Sequence, residues 1–504
     1  MHIGWAFESA AKRHPELPAL ATTETELTYG EWYGRVAAVA GWLRSHGIGR
    51  GDRVALSMRN REELATAYLA VQLAGAVAVP ANFRFRAPEL GHVVTDSGAV
   101  ALIYDDGSTA AATALPRPPG LLIHVDELEA ATRYHEPVDA ESNDDSNLSV
   151  ILYTSGTTGL PKGVPRTHRA EYAASIAHVV QCGYRLGEST LGAMPIAHTM
   201  GTRSLLSMVL VNGLYAPVAS INDEAALDLL AARRLSSLYL VPSAYHILLD
   251  RLERGPVDLS SCRKLGYAGA AMAPSLVERC VAAFEPDIFV NHYGSTEIYT
   301  FTVSSRQREK PGCAGRPGIH SRIRLVVPTR ERRVSPDDRV EPGQAGEVIA
   351  SVEGDEAFEG YLNQPEATRA AIRDGWYFTG DLGRLDSDGD LWIEGRVDDM
   401  INTGGENVYP IEVEDLISRH PKVAEVVVCG LPDERWGQAV TAFVVARDGS
   451  ALSPGEIIDY ARRNPELADY KRPRRVVLVS EIPKSPVGKI LRRELLAGNY
   501  REVG

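Results

Sequence analysis

The sequence predicts an α/β protein in two parts. The first is a large N-terminal domain of mixed, largely parallel sheets with flanking helices, and the second is a small α+β C-terminal domain. Three observations carry this expectation. Short apolar runs alternate with helical stretches through most of the chain, which is the pattern of parallel sheets covered by helices. At 504 residues the chain is too long for a single hydrophobic core. Near Gly395 the character changes to short strand signals mixed with helices and basic residues, placing the division between 1–395 and 396–504.

Taken in order, Thr28-Tyr29-Gly30-Glu31 is a capping-box pattern that opens a helix with Val36, Val39 and Leu43 on its apolar face. Strand, helix, strand and strand then follow over Arg53 to Met58, Glu62 to Leu73, Ala76 to Pro80 and Ala99 to Tyr104. The segment Ser108 to Asn147, rich in Ala, Pro, Asp and Ser, reads as a surface connection. A buried strand is expected over Leu148 to Leu152, with later strands ending at Pro242, at Gly269 and near Tyr293. In the C-terminal part, strands are expected over Glu425 to Cys429, Val440 to Ala446 and Arg475 to Val479. No internal repeat is visible.

Composition narrows the function classes. With 44% hydrophobic and 24% charged residues the chain is that of a soluble globular protein. No apolar run reaches the about 18 residues of a membrane span. The longest, Ala65 to Ala81, contains Gln72 and divides into a helix and a strand. The first residues, with Glu8, Lys12 and Arg13, do not form a signal peptide. Five cysteines (Cys182, Cys262, Cys280, Cys313, Cys429) lack CxxC spacing, which fits a reducing cytoplasm better than a zinc or disulfide framework. A net charge of −13 argues against a nucleic-acid binder, and no membrane partner is expected.

The most informative stretch is Tyr153-Thr154-Ser155-Gly156-Thr157-Thr158-Gly159-Leu160-Pro161-Lys162-Gly163. It follows the Leu148 to Leu152 strand and carries three glycines, four hydroxyls and a lysine. Backbone N–H groups and hydroxyls of this kind can wrap phosphate oxygens, with Lys162 supplying charge. It is not a Walker A loop, because Lys162 stands between proline and glycine. A plain surface loop has the same composition, and the stretch alone leaves both readings open.

Six further segments settle its company. They are Met194-Pro195-Ile196-Ala197-His198, Tyr267-Ala268-Gly269-Ala270-Ala271, Asn291-His292-Tyr293-Gly294-Ser295-Thr296-Glu297, Tyr377-Phe378-Thr379-Gly380-Asp381, Gly395-Arg396-Val397-Asp398-Asp399-Met400-Ile401 and Pro483 through Arg493. In this order and spacing the chain resembles the adenylate-forming superfamily of acyl- and aryl-CoA ligases, adenylation domains and luciferases. Its C-terminal part is most similar to 4-chlorobenzoate- and benzoate-CoA ligases, through Gly360-Tyr361-Leu362-Asn363-Gln364-Pro365, Asp433 to Gln438 and Lys471-Arg472-Pro473.

The resemblance implies an ATP-dependent carboxylate–CoA ligase that makes an acyl adenylate and pyrophosphate, then a thioester, with ATP, Mg2+ and CoA as cofactors. It implies that Lys489, Glu297 and His198 are the catalytic residues. Thr154, Ser155, Gly156, Thr157, Thr158, Gly159 and Lys162 would hold ATP phosphates, and Glu297 the metal. Adenine would lie between Tyr293 and the Gly269-Ala270-Ala271 backbone, beside Gly294, Ser295 and Thr296, with Asp381 and Arg396 on the ribose. Lys489 would contact the α-phosphate and the carboxylate. The small domain would be mobile about a hinge at Asp398, withdrawing Lys489 and presenting Gly404 and Gly405 to a CoA tunnel. Trp436 would wall that tunnel. Read from charge alone, Arg84, Arg86 and the Lys471-Arg472-Pro473-Arg474-Arg475 run could neutralise CoA phosphates or form a solvated face. Asn402 stands where the family often has a lysine, which bears on contacts at the hinge.

The acyl pocket is expected among residues flanking the motifs: His198 (also the gate toward the tunnel), Met200, Tyr245, Ala268 and Ile298. None is acidic or permanently charged, which favours a compact aromatic or alicyclic acid; bulky polycyclic or fatty acids are the alternative. A carrier protein in place of CoA is the alternative acceptor. A luciferase-like oxygenase and a scaffold that has lost its chemistry are the other readings, the latter opposed by Lys162, Glu297, Asp381 and Lys489 standing together. The sequence leaves monomer and homodimer both open.

Overall fold

The computed structural model is described for residues 1–134, 137–140, 144–154, 161–255, 257–328, 334–404, 406–447, 449–465, 467–484 and 490–503. It is α/β and divides into two compact units, 1–323 with 350–377 and 324–349 with 378–504. No helix among the described residues is long and apolar enough to cross a membrane.

Two sheets lie wholly within the first unit among its described residues. In the six-stranded sheet the order is Leu121–His124, Ala101–Tyr104, Arg53–Ser57, Val77–Pro80, Leu148–Thr154, Lys162–Thr167. All neighbours are parallel except the last pair, which is antiparallel. The nine-stranded sheet has a parallel centre built from Leu214–Pro217, Ser189–Gly192, Ser237–Leu240, Lys264–Ala268 and Ile288–Tyr293. The expected capping box is present: Thr28 N–H donates to Glu31 Oε2 at 2.9 Å, and Glu31 N–H to Thr28 Oγ1 at 3.3 Å. Helix Glu62–Leu73 is buried from Leu64 onward, which explains the long apolar run the sequence shows there. Gln72 stays inside because its amide exchanges two hydrogen bonds with Ser149, at 2.9 and 3.0 Å.

One expectation is corrected here. Ser108 to Asn147 is not only surface connection: it contains helix Thr109–Thr113, strand Leu121–His124 and helix Val125–Tyr134. The strand pairs in parallel with Ala101–Tyr104, so its backbone finds a ladder that its Pro-rich approach conceals.

In the second unit, Ile401–Thr403, Glu406–Val408, Val423–Asp433, Gly437–Ala446 and Arg475–Leu478 form one sheet. Alternation along the strands divides the core. Val428, Val440, Ala442 and Val444 face Val413, Leu416 and Ile457 of the helices Pro410–Ser418 and Pro454–Arg463. Val427, Cys429 and Phe443 pack with Val477 and Leu495.

Candidate functional site

In the first unit the phosphate-loop candidates begin where two strands pair. Thr154 and Lys162 are register partners in the antiparallel ladder, so both flank the start and end of the loop. Ser155, Gly156, Thr157, Thr158 and Gly159 lie outside the described residues. Gly163 is closely packed: a Cβ would meet Tyr153 Cζ and Leu362 Cβ at 3.2 Å. Leu362 N–H donates to Gly163 O at 2.9 Å, which lays the Gly360–Asn363 turn along this strand.

That turn brings two sequence candidates together. Tyr361 Oη donates to Glu297 Oε1 at 2.7 Å, and Lys162 Nζ lies 4.9 Å from the centre of the Tyr361 ring. Glu297 is buried at 7% exposure. Its position follows from a self-closed turn: Ser295 N–H donates to Ile298 O at 2.9 Å, and Glu297 N–H to Ser295 Oγ at 3.2 Å. Gly294 is obligatory in it, because a Cβ would stand 1.9 Å from Tyr299 O. Tyr293 ends its strand with its ring edge-on to Phe301 at 5.1 Å. Gly269, Ala270 and Ala271 are exposed just beyond the neighbouring strand, with Gly269 at φ +85°.

Beneath the turn is a buried charge network that sequence reading did not find. Arg166 NH1 donates to Thr296 O and Glu297 O at 3.1 and 3.2 Å, while its Nε donates to Glu171 at 2.6 Å. Arg203 pairs with the other Glu171 oxygen, and both guanidiniums lie over the Tyr299 ring at 3.9 and 4.3 Å. Arg166, which follows the apolar pair Val164-Pro165 near the end of strand Lys162–Thr167, is the one signal that could have pointed to it. Asn60 was missed too: its amide donates to Gly192 O and Met194 O at 2.9 and 2.6 Å, holding the Met194 to His198 segment.

Of the acyl-pocket candidates, His198 is partly buried and its Nε2 has no partner in the structure. Burial lowers its pKa to about 4, so the imidazole is neutral at physiological pH. Met200 lies in the first turn of helix Thr199–Leu210, which starts just after His198, and sits against Gly269, whose Cβ would stand 3.7 Å from its sulfur. Ala268 is partly buried, and Ile298 packs with Phe301, Phe358 and Tyr377. Tyr245 is corrected. It is fully buried, with Oη donating to Gly266 O at 2.9 Å, so its ring belongs to the sheet's core and offers no open face to a ligand. Arg84 is exposed, its guanidinium 4.5 Å from the Phe83 ring.

In the second unit, Asp381 and Arg396 are register partners on paired strands, and Arg396 NH1 donates to Asp381 Oδ1 at 2.7 Å and to Thr379 O at 2.9 Å. Asp398 is exposed two residues beyond that strand. The CoA candidates divide. Gly404, at φ +65°, donates its N–H to Trp436 O at 2.8 Å, and its Cβ would stand 2.9 Å from the indole. Arg474 lies over the same indole at 4.2 Å and donates to Thr403 Oγ1 at 3.1 Å. Lys471 and Arg472 are instead engaged with Glu412 and Asp469, which reduces their capacity to neutralise a phosphate. Gly405 and Lys489 lie outside the described residues.

Comparison with known proteins identifies the family. The AMP-binding enzyme family matches residues 7–362, and the AMP-binding enzyme C-terminal domain matches residues 412–489. The chain belongs to this adenylate-forming family, and its class is that of an AMP-forming acid–thiol ligase. It is 35% identical to a 4-chlorobenzoate–CoA ligase of Arthrobacter sp, covering 98% of this chain and 94% of that one. It is 34% identical to the long-chain-fatty-acid–CoA ligase FadD13 of Mycobacterium tuberculosis, covering 98% of each. The solved anthranilate CoA ligase AuaEII, in complex with anthranoyl-AMP, superposes with a TM-score of 0.90 at 26% identity, over 99% of this chain and 97% of that one.

Proposed function

We propose that the chain is an ATP-dependent carboxylate–CoA ligase acting on a compact aromatic or alicyclic carboxylic acid. A carboxylate is a poor acyl donor because its leaving group would be oxide. Its attack on the α-phosphate of ATP forms a C–O–P bond and releases pyrophosphate. The CoA thiolate then attacks the acyl carbon and AMP leaves. Charge builds at the α-phosphate in the first step, so fixed cationic groups there matter most.

The observation that carries this reading is the Lys162–Tyr361–Glu297 arrangement. It places a cation and a buried carboxylate at the base of the phosphate-loop hairpin. Glu297 fits Mg2+, since Tyr361 takes Oε1 and a second carboxylate oxygen is left to join phosphate oxygens on the ion. When bound, Mg2+ neutralises phosphate charge. Asp381 is the candidate for the ribose hydroxyls, with Arg396 orienting it, and Lys489 for the α-phosphate. The division at 395/396 with a hinge at Asp398 belongs to the same proposal. Neutral His198 and apolar Met200, Ala268 and Ile298 support a ring without a charged substituent.

The test is pyrophosphate release from a panel of carboxylic acids with and without CoA. Benzoate-type acids are expected to be preferred, with thioester formed only when CoA is present. Preference for straight-chain acids of about ten or more carbons would overturn the substrate class, and acyl transfer to a carrier protein but not CoA would overturn the acceptor.

A further inference from the structure

A second cluster of ligating side chains lies in the first unit, outside the ligase machinery. Helix His168–Gln181 carries His178, and Cys182 caps its end, so the two stand at i and i+4 on one face. The strand Ile288–Tyr293 brings His292 to that face. The His178 and His292 rings stack with centroids 5.1 Å apart at 26°, and Tyr239 packs edge-on to them at 4.6 and 5.6 Å. One ligating atom from each of His178, Cys182 and His292 lies within 4.8 Å of the others, and all three residues are buried.

Neutral histidines can serve in a core when their nitrogens are bonded. His292 does not meet that condition. One ring nitrogen, Nε2, is 3.1 Å from Gln181 Oε1, while Nδ1 is buried without a partner. With the Gln181 amide oxygen facing it, Nε2 carries the hydrogen and Nδ1 keeps its lone pair; Gln181 Nε2 is likewise buried without a partner. Carbonyl groups behind metal-ligating imidazoles fix their tautomer in this way. His178 Nε2 and Cys182 Sγ are 3.6 Å apart. A tetrahedral zinc with Zn–N of about 2.0–2.1 Å and Zn–S of about 2.3 Å spans an N···S edge of about 3.6 Å. The charges acting on the cluster are already compensated: Arg203, near His178, pairs with Glu171, and Glu188 and Lys264, near Cys182, pair with each other.

We propose that His178, Cys182 and His292 form a binding site for a thiophilic divalent metal ion, with zinc as its natural occupant. Binding replaces the Cys182 S–H bond by an S–metal bond and releases one proton to solvent, with no change in oxidation state. A side-chain rotation closes the remaining gap to an N···N edge of about 3.4 Å. The ion would brace the strand that carries Tyr293 against the helix behind it. This proposal does not rest on the ligase reading.

The experiment uses the full chain, stripped with chelator and desalted, then titrated with Co2+ followed by Zn2+. One equivalent of Co2+ is expected to bind, with an intense thiolate-to-cobalt band in the near ultraviolet that Zn2+ abolishes. Cys182→Ser should lose the band with an unchanged circular dichroism spectrum, and His292→Gln should weaken Co2+ binding at least tenfold. Absence of the band in the wild type would overturn the proposal. So would a band that survives in Cys182→Ser, since it would arise from Cys262, Cys280, Cys313 or Cys429. If a histidine variant fails to fold, the wild-type and Cys182→Ser spectra decide.

Discussion

Tyr361 donates its hydroxyl to Glu297 at 2.7 Å across 64 positions of sequence. The same ring lies under the Lys162 ammonium, so one side chain orients the carboxylate proposed to hold the metal and the cation proposed to hold phosphate. Tyr361→Phe keeps the ring and removes the hydroxyl. A hydrogen bond to a charged group is worth about 1.5–3 kcal/mol, so pyrophosphate release should fall about 10- to 100-fold. The Mg2+ concentration for half-maximal rate should rise with it. Unchanged Mg2+ dependence in steady-state assays would show that the turn alone fixes Glu297.

Gly294 tests that turn directly. An added Cβ would stand 1.9 Å from Tyr299 O, a backbone atom that cannot move without opening the turn. Gly294→Ala should therefore lower stability by about 1–3 kcal/mol, as other overpacking changes do. It should lose more than about 90% of adenylation while circular dichroism still reports a folded chain. Retained adenylation would mean that Glu297 does not need this geometry.

Much of this was readable from sequence because it is local. The capping box, the strand before the phosphate loop and the Tyr-Gly-Ser-Thr-Glu turn are set by residues within a few positions of one another. Tyr361 had no such signal, since its motif was visible but its contact is remote. The Arg166–Glu171–Arg203 network joins two helices and a strand, and only the arginine after Val164-Pro165 hinted at it. Leu121–His124 was lost among the surrounding Pro, Ala and Gly residues, which mask a short strand that needs a neighbour's ladder. Tyr245 misled because a ring near a motif says nothing about which way it faces; its hydroxyl bond to Gly266 O points it inward.

Lys489 rests on family resemblance, and half-reactions separate its role from a structural one. Lys489→Ala should nearly abolish pyrophosphate release from acid and ATP. Thioester formation from a supplied acyl adenylate should remain near wild type. Equal loss in both steps would contradict a lysine used in the first step alone.

Acid should weaken the first unit through His168. Its Nδ1 accepts from Ile3 N–H at 3.2 Å, and its ring lies against His2, tilted by 37° with centroids 3.6 Å apart. Burial, with His2 and the N-terminal amine, lowers its pKa from 6.5 to about 2. Below pH 6.5 the unfolded chain takes up a proton there that the folded chain refuses. Stability is therefore fully present above pH 6.5 and declines as pH falls toward the folded value. By pH 5 the loss from this group is about 2 kcal/mol. Urea melts at pH 7.5 and 5 should show it, and His168→Asn, which retains an acceptor but does not titrate, should reduce the difference by that amount. An identical pH dependence in the variant would place the acid sensitivity elsewhere.

Trp436 is held on both sides by groups the CoA reading needs. Gly404 donates its N–H to Trp436 O and approaches the indole closely enough that a Cβ would stand 2.9 Å away. The Arg474 guanidinium lies over the ring at 4.2 Å, where the aromatic face favours a cation. If this cluster forms part of the thiol passage, Trp436→Ala removes its wall and the surface that positions Arg474. The KM for CoA should then rise about tenfold, equivalent to about 1.4 kcal/mol, while the KM for ATP changes little. Gly404→Ala should shift the same parameter in the same direction, because a methyl group at φ +65° is strained and meets the indole. Arg474→Lys keeps the charge but loses the planar stack, so its effect should fall between wild type and Trp436→Ala. A larger change in KM for ATP than for CoA across these three variants would assign the cluster to structure and remove it from the CoA site.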